Sequence, residues 1–341
     1  MKVNLFYSSF FHSDRSGGIP CLAIHLFRGI MLNNFTPIYS FPDGSDFHNI
    51  VIKREDLSET GSHKFRYFRD KLKLLKEQGV DRIVLSTTGN AGISAAFFAK
   101  DLGMKVICLM SDRGDMSKSA QIEKNGGILI LSPRPVRFAR YISKKYDIPL
   151  LRMSRDDDAV SAYESLGEEL IAQVPGAQAI VNFCTSGTSG IGLMRAYKRR
   201  GLKYPALHIV QSGKSNSIAK ALHPEQIPAE LSGSEVGLED TPRKLELLDL
   251  IRESGGDSRY VFRKSQNSNS KFQSDTSFEG LACLEIAEKI KDKYDSIVVI
   301  FSGKAWPVSE DKNRTIAKTF AELDDMVGAP QNNLIAEQSE C

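Results

Sequence analysis

Ala179-Ile180-Val181-Asn182-Phe183-Cys184-Thr185-Ser186-Gly187-Thr188-Ser189-Gly190-Ile191-Gly192 is the stretch from which the fold can be read. Its first five residues form a β-rich run, its middle is a glycine-rich bend, and from Ile191 the apolar spacing turns helical. A strand that passes through glycines into a helix is the repeating unit of a parallel α/β sheet. The bend also has a chemical reading. Gly187 and Gly190 let backbone N–H groups close around an anion, Ser186, Thr188 and Ser189 add hydroxyls, and the helix N-terminus adds a favourable dipole, which together make a phosphate cradle. The same residues would also serve a plain strand-to-helix turn. Dinucleotide and nucleoside-triphosphate readings fall away, because the spacing is not Gly-x-Gly-x-x-Gly and no Walker lysine follows.

Working outward, strands are expected at residues 50–52, 83–85, 106–109, 128–131, 179–183, 207–210 and 296–301. Helices are expected at 64–78, 91–102, 116–124, 136–146, 159–173, 191–199 and 276–291. The alternation predicts an α/β fold of two open, twisted, parallel-type sheet domains. The smaller covers residues 52–150, the larger combines 1–51 with 151–326, and 327–341 form a polar tail. Residues 223–275 are less regular, and the polar cluster at 265–270 reads as a surface loop.

The totals bound the function without naming it. A chain of 341 residues with 41% hydrophobic and 26% charged residues and a net charge of +3 is globular, with no charge excess to suggest a nucleic acid or a membrane surface as partner. Five cysteines without Cys-x-x-Cys spacing argue against a disulfide framework or a zinc site and favour a reducing, cytoplasmic setting. The histidines show no metal spacing, and no metal is expected. The apolar stretch near the N-terminus is too short for a signal peptide, and no apolar run reaches membrane-spanning length. A hydrolase reading lacks a Gly-x-Ser-x-Gly elbow.

Three further segments carry chemistry. Lys64 follows the turn Thr60-Gly61-Ser62-His63, which can deliver its amine into a cleft, desolvated and nucleophilic, as a Schiff-base lysine requires. Thr87-Thr88-Gly89-Asn90 stands between a strand and a helix, suited to hold an α-carboxylate on helix-terminal amides and threonine hydroxyls, or to act as an ordinary N-cap. Ser302 presents a hydroxyl where the last strand of a parallel sheet ends, the usual mouth for a ligand. Arg113, Lys118, Arg155 and Lys304 read as surface charges.

In order and spacing, the run from Lys53 to Arg66, the Thr-Thr-Gly-Asn loop and the Gly-Thr-Ser-Gly loop resemble the fold-type-II pyridoxal-phosphate enzymes, over residues 50–305. That group includes threonine synthase, cysteine synthase, threonine dehydratase and the tryptophan synthase β subunit. Gln211-Ser212-Gly213-Lys214-Ser215-Asn216-Ser217-Ile218 and the segment 248–256 look most like threonine synthase. The resemblance implies pyridoxal 5'-phosphate in a cleft between the two domains. It also implies an amino-acid substrate, a homodimer, and elimination or replacement of a side-chain leaving group. Alternatives are β-replacement of the cysteine-synthase kind, a serine or threonine dehydratase, or a non-catalytic cofactor binder. Position by position, Lys64 would bond the cofactor, Asn90 contact its ring oxygen, Gly187, Thr188, Ser189 and Gly190 hold its phosphate, and Ser302 face its ring nitrogen. Thr87, Thr88 and Gly89 would hold the substrate carboxylate, with His63 and Ser186 as auxiliaries. Departures from the family pattern are Ser58-Glu59 in place of Asn-Pro and His63 in place of Phe, the latter similar to the tryptophan synthase β subunit. His63 would either pack behind the cofactor or act near its phosphate.

Overall fold

The larger of two sheets is built around inner strands buried on both faces, as expected where helices cover a parallel sheet from either side. A computed structural model describes residues 35–114, 116–213, 215–227, 241–262, 272, 275–307 and 316–328. The six-stranded sheet runs in the order β1 (Ile38–Ser40), β2 (Ile50–Lys53), β9 (Ile297–Ile300), β6 (Ala179–Phe183), β7 (Ala206–Gln211) and β8 (Asp257–Tyr260). Only β1, at the edge, is antiparallel to its neighbour. The smaller sheet is three parallel strands, β3 (Arg82–Thr87), β4 (Lys105–Ser111) and β5 (Ile128–Ser132), with Leu150 bridged to Val84 alongside β3.

The period of two along a strand decides which helix each residue meets. Val298 and Ile300 face the core formed with α5 (Asp157–Gln173), α6 (Thr188–Arg199) and α8 (Lys244–Ser254), among Val160, Leu170, Leu193 and Leu247. Ile297 and Val299 face the opposite core with α9 (Phe278–Ile290), beside Ala282, Ile286 and Ile290. In the smaller sheet Ile83 and Leu85 meet α1 (Phe65–Glu77), α2 (Asn90–Asp101) and α3 (Met116–Lys124). Val84 and Leu109 meet α4 (Pro135–Tyr146) and α10 (Phe320–Gly328).

The predicted elements form with boundaries shifted by at most three residues, but the less regular region holds more structure than expected. It contains α8 and β8, and α7 (Ser217–Leu222) lies just before it. The α7 helix is a single short segment, and β8 (Asp-Ser-Arg-Tyr) is polar because it lies at the sheet edge, so neither carries the hydrophobic period that announces an element. The cluster at 265–270 and the tail beyond 328 lie outside the described residues.

Candidate active site

The segment following β9 clamps the loop that carries Lys64. The His63 N–H donates to Ser302 O at 3.0 Å, the Lys304 N–H donates to Gly61 O at 2.8 Å, and Ser62 pairs with Gly303. On its other flank the loop is tied to α2, where the hydroxyls of Thr60 and Ser94 meet at 2.8 Å. Lys64 sits at the N-cap of α1, half-buried, with its Nζ 6.0 Å from the centroid of the Tyr163 ring on α5. Burial pushes its pKa down, and the nearby Cys184 and Glu279 offset this only in part. The result is an amine closer to neutral than a surface lysine, which suits a nucleophile. His63 is buried, packs its ring against Tyr163 at 5.0 Å, and leaves its Nδ1 without a partner. Burial, together with the charges of Lys64 and Arg66, holds its pKa well below the usual histidine range.

At the end of β3 the chain enters α2 through a bend only glycine adopts readily. Gly89 has φ +130°, and a Cβ there would overlap the stem of Lys118. The stem of Lys118 therefore lies across this loop, and the residue is partly buried. The Thr87 hydroxyl accepts from the N–H groups of Gly89 and Gly92 at 2.9 and 3.1 Å, so it serves the cap that its sequence context also allowed, while Thr88 is exposed. Asn90 begins α2 with its Oδ1 buried and unpartnered, and its amide nitrogen is 2.8 Å from where a Cβ on Gly303 would stand. Replacing Gly89 with alanine is expected to cost about 1–3 kcal/mol, from the positive φ and the contact with Lys118, read as a shift of the urea midpoint.

The glycine-rich bend becomes the N-terminus of α6, with Gly187 at φ +84° as its N-cap. Its hydroxyls divide their roles. Ser186 and Thr188 bond each other at 2.8 Å, whereas Ser189 turns inward, accepting from Asn182 at 3.1 Å and meeting Cys184 Sγ at 3.4 Å. Gly190 packs against Leu247. Arg243 stands over the bend, with its Cβ 3.0 Å from where a side chain on Gly187 would begin and its guanidinium donating to Thr188 Oγ1 at 3.2 Å. Sequence reasoning missed Arg243, since it lies in the stretch read as irregular, and Tyr163, which reads as one more apolar position of a helix. Thr241 was missed for the same reason as Arg243; it donates to Thr185 O at 2.9 Å and supports the bend from behind. Ser302 is buried directly after β9, and Lys304 turns its ammonium over the Trp306 ring at 5.2 Å.

Among the described residues, six of the ten buried side-chain polar atoms without partners lie on these segments or on the helices beside them: Ser62 Oγ, His63 Nδ1, Asn90 Oδ1, Tyr163 OH, Ser277 Oγ and Trp306 Nε1. Such a cluster is costly unless a polar ligand satisfies part of it. A desolvated lysine, a glycine-rich helix N-terminus and unpaired polar groups on the adjoining segments together fit a phosphorylated aldehyde cofactor.

Residues 31–268 match the family model described as pyridoxal-phosphate dependent enzyme, and the chain belongs to that family, whose cofactor is pyridoxal 5'-phosphate. It is 26% identical to the O-ureido-L-serine synthase of Streptomyces lavendulae over 242 residues, 62% of this chain and 74% of that protein. With the cysteine synthase B of Pseudomonas aeruginosa it shares 28% identity over 181 residues, 49% of this chain and 59% of that protein, so the match spans little more than half of this relative. A solved structure of an O-acetylserine-dependent cystathionine β-synthase from Helicobacter pylori superposes with a TM-score of 0.64 at 22% identity, over 79% of this chain and 92% of that one. The last of these comparisons shows a shared fold. Among the described residues no helix is long and apolar enough to cross a membrane.

Proposed function

We propose that the protein eliminates or replaces a side-chain leaving group on an amino acid, and that a serine-type substrate reacting at Cβ is the favoured case. The observation that carries the reading is the placement of Lys64: a desolvated amine near Cys184 at the head of the glycine-rich bend, on a loop whose His63 N–H donates to Ser302 O. In this reading Gly187, Thr188, Ser189 and Gly190 would hold the cofactor phosphate on the α6 N-terminus, with Ser186 and Arg243, itself ion-paired with Asp157, steadying Thr188. Asn90 would meet the ring oxygen and Ser302 the ring nitrogen. Thr88, Gly89 and the α2 N-terminus receive the substrate carboxylate, and Thr87 holds that loop in shape through its cap bonds.

When bound, the cofactor supplies an electron sink for the charge left at Cα. Lys64 would carry the cofactor and, once freed, would take the Cα proton as a base, and burial that favours the neutral amine suits both roles. A neutral hydroxyl at Ser302 makes the sink weaker than a carboxylate would, which favours loss of a side-chain group over amine exchange.

Two relatives are named for products that carry a heteroatom on Cβ, an O-ureido-L-serine synthase and a cysteine synthase, which supports β-chemistry. Threonine-synthase-like γ-chemistry is the second reading, favoured by the segments 211–218 and 248–256. Both segments also have structural work. Gln211 accepts from Ile218 and Ala219 N–H at 2.9 and 3.1 Å, and Leu248 and Ile251 pack in the core, so the γ-reading is the weaker one. A homodimer in a reducing cytoplasm belongs to the same proposal, and the buried free cysteines Cys108, Cys184 and Cys283 are compatible with it.

The test is a panel of serine, O-acetylserine, O-phosphoserine, O-phosphohomoserine and threonine, followed by the visible spectrum of the bound cofactor and by product analysis. Long-lived spectral change with the serine esters is expected. Turnover of O-phosphohomoserine instead would move the protein to γ-chemistry, and silence with every member, with no Cα proton exchange, would leave a cofactor binder without this activity.

A further inference from the structure

Tyr163 touches both residues at the centre of the site, yet nothing in the proposed chemistry uses it. It is fully buried on α5, its ring lies edge-to-face with the His63 imidazole at 5.0 Å, and its face is 6.0 Å from Lys64 Nζ. Its position is rigidly set, because α6 crosses so closely that a Cβ on Gly192 would stand 2.6 Å from Tyr163 Cβ. Its hydroxyl has no partner, so hydrogen bonding does not account for a tyrosine here.

We propose that Tyr163 is a positioning residue for Lys64: the face of its ring seats the ammonium form, and its edge braces His63, so that Lys64 keeps its proton more readily than an aliphatic neighbour would allow. The negative face of an aromatic ring attracts a cation and not a neutral amine, and the attraction strengthens where water is excluded. Other groups also act on the amine, but through charges that a substitution at Tyr163 leaves in place. Cys184 and Glu279 favour the ammonium by charge, His63 is neutral, and the positive charge of Arg66 is compensated by Glu55 and Glu169. Burial pulls in the opposite direction, so the ring limits how far the amine drifts toward neutrality. A lysine that must attack as a free amine and later carry a proton benefits from this intermediate position.

The claim concerns the amine itself and can be tested without cofactor, so its failure is separable from failure of the assigned reaction. The pKa of Lys64 in the cofactor-free protein is read from the pH dependence of its reductive methylation rate, followed by peptide mass spectrometry. Tyr163→Leu is expected to lower that pKa by about 0.5–1 unit, while Tyr163→Phe, which keeps the ring, leaves it nearly unchanged. If the ring only packs, trimming it admits water, relieves desolvation and raises the pKa. A rise or no change in Tyr163→Leu therefore overturns the proposal. Should Tyr163→Leu fail to fold, a series of progressively fluorinated phenylalanines at the same position keeps the shape and weakens the ring face. The pKa is then expected to fall along the series, and a flat series overturns the proposal.

Discussion

Replacing Lys64 with alanine is expected to reduce turnover by at least about 10³-fold, because one change removes both the covalent attachment and the base. The fold should survive. Burial lowers the pKa of Lys64 in the folded state, so at any pH below its unfolded value of 10.5 the unfolded chain binds the proton more tightly, and the native lysine costs stability there. The alanine variant should therefore unfold at an equal or higher urea concentration than the parent while losing activity. Steady-state rates and a urea titration on the same preparation decide the matter. A variant that loses both activity and stability would mean that Lys64 holds structure and that the chemistry resides elsewhere. The arrangement has the form of a stability cost retained for function.

The largest loss of stability is expected at Arg66, two residues further along α1. Its guanidinium donates to both Glu55 oxygens at 2.7 and 2.8 Å, and to Glu169 and Ser165 at 2.8 Å each. Lys53 completes the network, with its Nζ 2.5 Å from Glu169 and 2.7 Å from both Thr36 O and Gln173 Oε1, while Thr36 Oγ1 donates to Glu55. All four charged side chains are nearly or fully buried. Taking such groups out of water is expensive, and only mutual pairing makes it tolerable, so the network is better regarded as a device that fixes geometry than as a source of net stability. It joins β2, the segment before the lysine loop, α1 and α5, and so fixes the helix that presents Lys64 against the helix that carries Tyr163.

Arg66→Met leaves two buried carboxylates facing one cation and is expected to cost about 3–5 kcal/mol in urea unfolding. The acid side of the stability curve should change as well. Burial pushes the Glu55 carboxyl up, but the charge and hydrogen bonds of Arg66 outweigh it and hold the pKa below the ordinary value. Its contribution is thus present above the unfolded value of 4.5 and is lost as pH falls through the depressed one. The variant should lose that part of the slope. A cost below about 1 kcal/mol would show that the network carries no structural load.

Much of this arrangement is legible in the sequence. The runs at 179–183 and 128–131 read as strands because β-rich residues sit between turn signals, and both appear as β6 and β5, the latter extended to Ser132. The loops at Lys64, at Gly89 and at Gly187 could be found because each needs residues that ordinary surface turns do not, a lysine after a tight turn or a glycine at positive φ. What was hidden follows from the same physics. Arg243 reaches the bend across a long sequence separation, and no local pattern announces a contact of that range. Tyr163 looks like any buried helix residue until the fold brings Lys64 to its ring face. Lys118 looked like surface charge because only the missing side chain at Gly89 reveals where its stem lies. Thr87 carried two readings, and its hydrogen bonds show that its oxygen serves the α2 cap.

The most direct measurement is reduction of the holoprotein with borohydride followed by peptide mapping. The account predicts one pyridoxyl group, on Lys64, and its disappearance in Lys64→Ala. A label on any other lysine, or a holoprotein that takes up no label at all, would contradict it.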